Sequence, residues 1–383
     1  MTAPGDTRRA AGDSWPPVVV LFGGPSAEHD VSIVSGTAIA EALAARGLDV
    51  QLVLIDLDRR WWWLPADHRR AGRAPATYDD PAPLGAEGPL TAGTALDRFA
   101  AADPAPVVFI ALHGPYGEDG TVQGLLEAAG VAYTGAGVAA SAIGMDKAIF
   151  KRLVRGLGLP VAPWREVTEG RWASDPAGVL TELDAFAAGN GDPRVMVKPA
   201  RLGSSLGMTL AHSAAERPAA LDEVFRFDSL ALVEQYLPRP REIEVSVLGN
   251  DPATIEQYGP GEVIAGREFY DYVAKYTPGM SQTSAHAELD PRQRALILKY
   301  ARDAYRAIGA EGFARVDFLV TEEGIVVSEI NTIPGFTPIS LFPTMPASAG
   351  LDFGDVCLRV VELAIQRHAG RIRAALTPAD LPR

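Results

Sequence analysis

Two short segments near residues 313–331 carry the side chains best suited to chemistry. Arg315 and Asp317 stand two apart in one strand-like run, and Glu329 and Asn331 stand two apart in the next. Residues two apart on a strand share a face. Paired as a hairpin across Thr321-Glu-Glu-Gly324, the runs would bring two carboxylates and an amide oxygen together beside one guanidinium. That donor set suits a hard cation such as Mg²⁺, which takes few protein ligands and completes its shell with water and nucleotide phosphates. Carboxylates on an apolar strand are costly unless something compensates them; a plain salt-bridged pair is the simpler alternative.

A second group is a phosphate cradle. The strand ending at Lys198-Pro runs into Ala-Arg-Leu-Gly203-Ser204-Ser205-Leu-Gly207, a loop with two glycines and two hydroxyls. Backbone N–H groups freed by glycine can converge on phosphate oxygens, with Lys198 as a nearby charge; a plain surface turn is the alternative. It is not a P-loop, because G-x-x-x-x-G-K-[ST] is absent. Lys147, in Met145-Asp146-Lys147, is a second cation. His113 opens a stretch with four glycines in twelve residues, following a strand's C-terminal end, where open α/β sheets place ligand sites. Glu28 follows Gly23-Gly24 in a strand-to-helix loop; it could hold a substrate ammonium, with helix capping by Asp30 as the alternative. Glu268-Phe-Tyr-Asp-Tyr-Val-Ala-Lys275-Tyr276 is too mixed for a core strand and reads as a functional loop or lid, with a surface strand as the alternative.

These groups need a scaffold. Val18–Phe22 is a continuous apolar run, a helical pattern spans about Ser32 to Arg46 before Gly47, and Val50–Asp56 is again apolar: a β–α–β unit on a parallel sheet. Pro106–Leu112 is a further such strand, whereas residues 65–105 read as a loose excursion with one helix. Trp61-Trp62-Trp63 reads as a strand or edge packed on the core. Val138–Leu157 reads as one helix, and Arg194–Pro199 as a strand. Leu230–Glu234 and Glu242–Leu248 read as strands flanking a turn. Pro291–Ile308 is an amphipathic helix and Val356–Ile365 a closing one. The fold class expected is mixed α/β (α+β) in two or three lobes.

The chain has 383 residues, with 35 Lys plus Arg against 48 Asp plus Glu, a net charge of −13. Nucleic-acid and membrane partners are not expected from an acidic total. Hydrophobic residues at 47% exclude disorder of the whole chain. One cysteine, Cys357, excludes an internal disulfide and a cysteine-built zinc site; its apolar surroundings mark a buried structural thiol. With no long apolar run and no signal core in the first 17 residues, a cytoplasmic protein with a frayed tail is expected.

Seven stretches, in order, resemble the D-alanine–D-alanine ligases of the ATP-grasp superfamily: Leu21–Glu28, Leu112–Gly120, Met145–Lys147, Lys198–Met208, Glu268–Tyr276, Ala314–Asp317 and Glu329–Thr337. The resemblance covers about residues 18 to 360. It implies a three-domain ATP-grasp architecture: a disordered tail over 1–17, an N-terminal parallel-sheet substrate lobe over 18–137, a central ATP lid over 138–235 and a catalytic domain over 236–383. It implies ATP as a substrate and two Mg²⁺ ions (Mn²⁺ as substitute) on Asp317, Glu329 and Asn331. Lys147, Lys198, Ser204 and Ser205 would contact phosphates; Glu234, Glu242 and Lys275 would serve the rest of the nucleotide, with the Glu234-to-Glu242 spacing one residue longer than usual. Glu28, helped by His113, would bind the first D-alanine; Ser340 and Leu341 would hold the second. Arg315 and the Gly335 N–H would stabilise the oxyanion. Tyr276, Ser204 and Glu28 would lock the lid. The implied reaction makes D-alanyl-D-alanine for peptidoglycan precursors through an acyl-phosphate, in a homodimer, with D-lactate or D-serine as alternative acceptors.

Overall fold

The computed structural model describes residues 14–69, 72–265 and 281–374. Glu268, Lys275, Tyr276 and the first thirteen residues lie outside the described residues.

The first sheet grows from the expected β–α–β unit. Strand β1 (Val18–Gly23) is buried throughout, and α1 (His29–Ala45) returns the chain to β2 (Val50–Ile55), which pairs with β1 in parallel from Val18↔Val50 to Gly23↔Ile55. On the other side β5 (Val107–Ile110) and then β6 (Ala132–Tyr133) continue the parallel pairing. The tryptophan run is β3 (Trp61–Trp63), antiparallel to β2, with Trp61 fully buried and Trp63 against Phe99 at 5.5 Å between rings. Residues 65–105 are more regular than expected. They hold an edge strand, β4 (Glu87–Leu90), and α2 (Ala92–Ala101), whose N-terminus is capped by Thr91. Four exposed or half-buried residues, one of them Pro89, give β4 no apolar signal to read. Residues ahead of Val18 already belong to the fold: Trp15 packs on the core and the Pro17 carbonyl accepts from the Val107 N–H at 2.9 Å.

After α3 (Thr121–Ala128), the stretch expected as one helix is two: α4 (Val138–Met145) and α5 (Lys147–Gly156). Asp146 breaks it with extended backbone, and its carboxylate accepts from the Ile149 N–H, an N-cap for α5. One non-helical residue leaves the apolar periodicity intact, so the break is invisible to pattern reading.

The second sheet is antiparallel, in the order β7-β10-β8-β9, from β7 (Trp164–Thr168), β8 (Val195–Pro199), β9 (Thr209–Ala211) and β10 (Leu230–Gln235). Helices α6 (Glu169–Ser174), α7 (Pro176–Gly189) and α8 (Arg217–Val224) accompany it, with α7 and α8 packed into its core. The third sheet is also antiparallel: β13-β12-β11-β14-β15, from β11 (Arg241–Leu248), β12 (Glu256–Ala265), β13 (Ser281–Ser284), β14 (Phe313–Thr321) and β15 (Gly324–Asn331). Leu230–Glu234 and Glu242–Leu248 therefore do not pair across a turn; they belong to different sheets. The linker between them carries Pro238 and Pro240, which cannot donate to a ladder and steer the chain away.

Helix α9 (Pro291–Ala307) covers the third sheet, and α10 (Leu341–Ser348) leads to α11 (Phe353–Ala374), longer than the expected closing helix. Val356, Cys357, Val360, Val361 and Leu363 on α11 share one core with β1, α1 and the aromatic cluster Phe313, Phe336 and Phe342. At roughly 1.5–3 kcal/mol per buried aliphatic side chain, that face is comparable to the whole net stability of a typical domain, ~5–15 kcal/mol. The C-terminal helix thus ties the first and third sheets together. Among the described residues no helix is long and apolar enough to cross a membrane.

Candidate active site

A cleft of about 1530 Å³ is walled by the second and third sheets and by α1 and the loops that follow β1 and β5 of the first, and every described residue expected to do chemistry lines it. These are Glu28, His113, Lys147, Lys198, Ser204, Ser205, Glu234, Glu242, Arg315, Asp317, Glu329, Asn331, Gly335, Ser340 and Leu341.

The expected hairpin forms. Strands β14 and β15 pair with Arg315 opposite Asn331 and Asp317 opposite Glu329. Arg315 grips Asp317 with two bonds of 2.7 Å, from Nε to Oδ1 and from its terminal nitrogen to Oδ2. The Asn331 amide also donates to Asp317 Oδ2, at 3.0 Å. On the other side β11 sets Glu244 opposite Asp317, with Glu244 Oε2 3.2 Å from Arg315 Nε. Burial works against the Arg315 charge, but Asp317 and Glu244 outweigh it and hold the guanidinium well above the usual arginine range. Glu244 was missed by sequence reading, although its spacing two after Glu242 puts it on the same face.

Among the described residues no group of three His, Cys, Asp or Glu side chains is placed to hold a metal. The set Asp317, Glu329 and Asn331 offers two carboxylates and one amide oxygen, the sparse hard donor set Mg²⁺ accepts when substrate phosphates complete its shell. The residues present fit such an ion.

Three lysines meet two glutamates, Glu329 of this row and Glu234. Lys147, the first residue of α5, donates from Nζ to the Leu202 carbonyl at 2.7 Å and pairs with Glu329 Oε2 at 3.1 Å. Its backbone N–H reaches the Ala200 carbonyl, so α5 is pinned to the glycine-serine loop. Lys198, at the end of β8, pairs with Glu234 Oε2 at 2.8 Å. The other oxygen, Oε1, accepts from Lys151 at 2.7 Å. Burial alone would push the Glu234 carboxyl up, but Lys151 and Lys198 overcome this and pull it down to about 2. Burial lowers the Lys151 ammonium below the usual lysine range, with Glu234 acting against that fall. Lys151 is the second residue sequence reading missed; its signal was the one-turn spacing from Lys147.

At the first-sheet end, Glu28 sits on the turn into α1, not under a capping Asp30; Glu28 itself occupies the N-cap position without a side-chain bond to the helix. Its carboxylate accepts a hydrogen bond from the Ser204 hydroxyl. Two glycines make room for it: a Cβ on Gly114 would fall 2.5 Å from Glu28 Oε2, and one on Gly203 2.9 Å from the same atom. Beside it, His113 is 3% exposed, with Nε2 2.9 Å from Ser35 Oγ and Nδ1 3.1 Å from the Ile333 carbonyl and 3.6 Å from Glu118 Oε1. Burial would lower the imidazole; Glu118 and then Glu28 reverse this and raise it, while burial raises Glu118 itself. His113 is thus bracketed by acids and wired to the Ile333 segment of the third-sheet lobe.

On the third-sheet side of the cleft Ser340 precedes α10. Its Oγ accepts from the Thr337 N–H at 3.0 Å and lies 2.8 Å from Thr337 Oγ1. Gly335 faces the same hydroxyl, with Cβ space of 3.4 Å, and Leu341 is buried against Val263 and Met345. Glu242 reaches the cleft wall from β11. The arrangement supplies cations for a polyphosphate, an acid for an ammonium, and hydroxyl and backbone donors for a carboxylate.

Comparison with known proteins agrees with this geometry. Residues 17–136 match the family model described as D-ala D-ala ligase N-terminus, and residues 153–362 match D-ala D-ala ligase C-terminus. A D-alanine--D-alanine ligase of Kineococcus radiotolerans is 41% identical over 377 residues, covering 93% of this chain and 98% of that relative. Among solved structures, the D-alanine-D-alanine ligase from Coxiella burnetii superposes with TM-score 0.73 at 30% identity, over 94% of this chain and 98% of that one. The VanG D-Ala:D-Ser ligase from Enterococcus faecalis reaches 0.77 at 29% identity, over 91% and 99%. With both family models matched in order and the cleft furnished as described, this chain belongs to the D-alanine–D-alanine ligase family and has its ATP-grasp fold.

Proposed function

We propose that the chain joins two molecules of D-alanine into D-alanyl-D-alanine at the expense of ATP, supplying the dipeptide of peptidoglycan precursors in the cytoplasm. The observation that carries this reading is the single cleft in which an ammonium-binding acid, Glu28, a pair of phosphate-facing lysines, Lys147 and Lys198, and the Arg315–Asp317 pair face one another. The first D-alanine binds with its ammonium at Glu28. Its carboxylate oxygen takes the γ-phosphoryl group of ATP, and ADP leaves. The amine of the second D-alanine, held by its carboxylate at Ser340 and Leu341, attacks the acyl carbon. The C–N bond forms as inorganic phosphate departs, and the amine's surplus proton passes to solvent.

Lys147 and Lys198 offset charge on the transferring phosphoryl group, and Arg315 with the Gly335 N–H offsets the oxyanion; such fixed charges act mainly by electrostatic stabilisation and positioning. Asp317, Glu329 and Asn331 would hold Mg²⁺, two ions with Mn²⁺ as substitute, which when bound neutralises phosphate charge. Ser204 and Ser205 cover the phosphates, and Glu234, Glu242 and Lys275 serve the nucleotide's other parts. Ser204, Glu28 and Tyr276 close the lid against water, which would hydrolyse the acyl-phosphate. The working parts are a substrate lobe over 18–137, a lid over 138–235 and a catalytic lobe over 236–383, assembled as a homodimer.

The test is phosphate release by the purified chain with Mg-ATP and D-alanine, with the product identified by mass. D-Ala-D-Ala formed from D-alanine and absent with L-alanine supports the reading. ATP hydrolysis without dipeptide refutes D-alanine as acceptor. D-serine is the second reading, favoured by the likeness to the D-Ala:D-Ser ligase; D-lactate is a third. On this reading Tyr276→Phe shifts acceptor preference toward D-lactate, and unchanged product ratios in a mixed-acceptor assay refute that role.

A further inference from the structure

We propose that Lys151 is a positioning residue that keeps Lys198 available to a polyphosphate by serving as the resident counterion of Glu234. The inference rests on the reading of the cleft as a nucleotide site.

Lys151 follows Lys147 by one helical turn, so the two side chains leave the same face of α5. Their surroundings differ. Lys147 lines the cleft, whereas the Lys151 side chain is 1% exposed and lies behind the cleft wall, its Nζ 5.2 Å from the Trp164 ring centre. Glu234 stands between Lys151 and Lys198 and uses one oxygen for each, at 2.7 and 2.8 Å. Two ammonium groups and one carboxylate sum to a single positive charge, and the member of the set that presents a cation to the cleft is Lys198.

Consider the same site without Lys151. Glu234 would be the counterion of Lys198 alone, and the patch would be neutral. A phosphate drawing Lys198 away would strand a deeply buried carboxylate, the situation most costly for an ion pair to lose a partner in. With Lys151 in place Glu234 keeps a cation when Lys198 turns to phosphate. Lys151 therefore acts through Glu234 and Lys198 and touches no ligand itself.

The test is calorimetric binding of ATP and, separately, adenosine to the full chain: wild type, Lys151→Met, Lys151→Arg and Lys151→Met/Glu234→Gln. Adenosine lacks phosphates, so the ratio of the two affinities reports the field at the phosphates and is insensitive to any adenine contact of Glu234. Lys151→Met is expected to weaken ATP about tenfold with adenosine unchanged, the size of a nearby charge in a half-polar site. Lys151→Arg keeps the wild-type ratio. The double variant, which restores one net positive charge, brings the ratio back to within about threefold of wild type. Equal losses of ATP and adenosine in Lys151→Met, or no loss of either, overturn the proposal. Should Lys151→Met not fold, the double variant decides: a ratio lowered tenfold overturns it, and a preserved ratio supports it. A wild-type chain that binds neither compound overturns the nucleotide reading itself, a different result from an unmoved ratio.

Discussion

The Ser204 hydroxyl donates to the Glu28 carboxylate, joining residues 176 apart in sequence and on different sheets' loops. Ser204 and Ser205 both hold left-handed backbone, with φ of 51° and 56°, a conformation non-glycine residues adopt only where the surroundings enforce it. The glycine-serine loop is therefore docked on the turn that begins α1. The contact unites the end of the cleft suited to an ammonium with the loop suited to phosphate.

Ser204→Ala should break that latch. A hydrogen bond to a charged group contributes about 1.5–3 kcal/mol, so dipeptide formation should slow roughly ten- to hundredfold. Coupling should also loosen, because an acyl-phosphate reached by water is wasted. Measuring ADP and dipeptide in one assay checks this; a variant that still makes one dipeptide per ADP has kept its seal.

Gly114→Ala should act on Glu28 from behind. Gly114 has φ of 73°, and a Cβ there would fall 2.5 Å from Glu28 Oε2. The strained backbone costs on the order of 1–3 kcal/mol, and the carboxylate must also move. The expected outcome is a raised KM for D-alanine with KM for ATP nearly unchanged. Steady-state titration of each substrate decides it, and an equal rise in both would contradict the placement.

Glu329→Gln should abolish turnover, by more than about a hundredfold, through loss of a carboxylate of the set that would hold Mg²⁺ against the phosphates. Its partner Lys147 keeps the bond to the Leu202 carbonyl in the variant, and a glutamine can still accept at that position, so stability should change little. Activity and a thermal melt on the same preparation separate the two effects. Near-normal turnover would remove Glu329 from the metal-holding role.

Acid should unfold the protein partly through Glu234. Its folded pKa of about 2 lies below the ordinary 4.5, so the native state binds fewer protons there than the unfolded chain. The contribution is present above pH 4.5 and is lost as pH falls toward 2, worth roughly 3 kcal/mol over that window. Unfolding free energy measured from pH 5 to 2 should fall more steeply in the wild type than in Glu234→Gln. Parallel slopes would show that the two lysines do not hold the carboxylate ionised.

Much of this molecule was legible in its residues. Continuous apolar runs dictated β1, β2 and β5, and the β–α–β order dictated parallel pairing, because each rule depends only on neighbours along the chain. The two-residue spacing in Arg315-Val-Asp317 and Glu329-Ile-Asn331 dictated shared faces, and the short Thr321–Gly324 turn dictated which strands would pair. Seven ordered motifs dictated the family. Their chemistry needs those residue types wherever the chain folds.

Tertiary structure decided the rest. The break at Asp146, a single extended residue inside unbroken periodicity, starts α5 at Lys147, which meets Leu202 and Glu329 while Lys151 meets Glu234. Separation of β10 from β11 into different sheets depends on competition among strands distant in sequence. That Glu234 would be shared by Lys151 and Lys198, and that Glu244 would back Arg315, follows from burial, which leaves no charge without a partner yet does not specify along the chain which partner it will be. Sequence determined which groups this protein possesses and the local geometry of each. Only packing decided which of them meet, because a charge pair forms in space, between segments brought together by apolar cores that carry no information about the charges themselves.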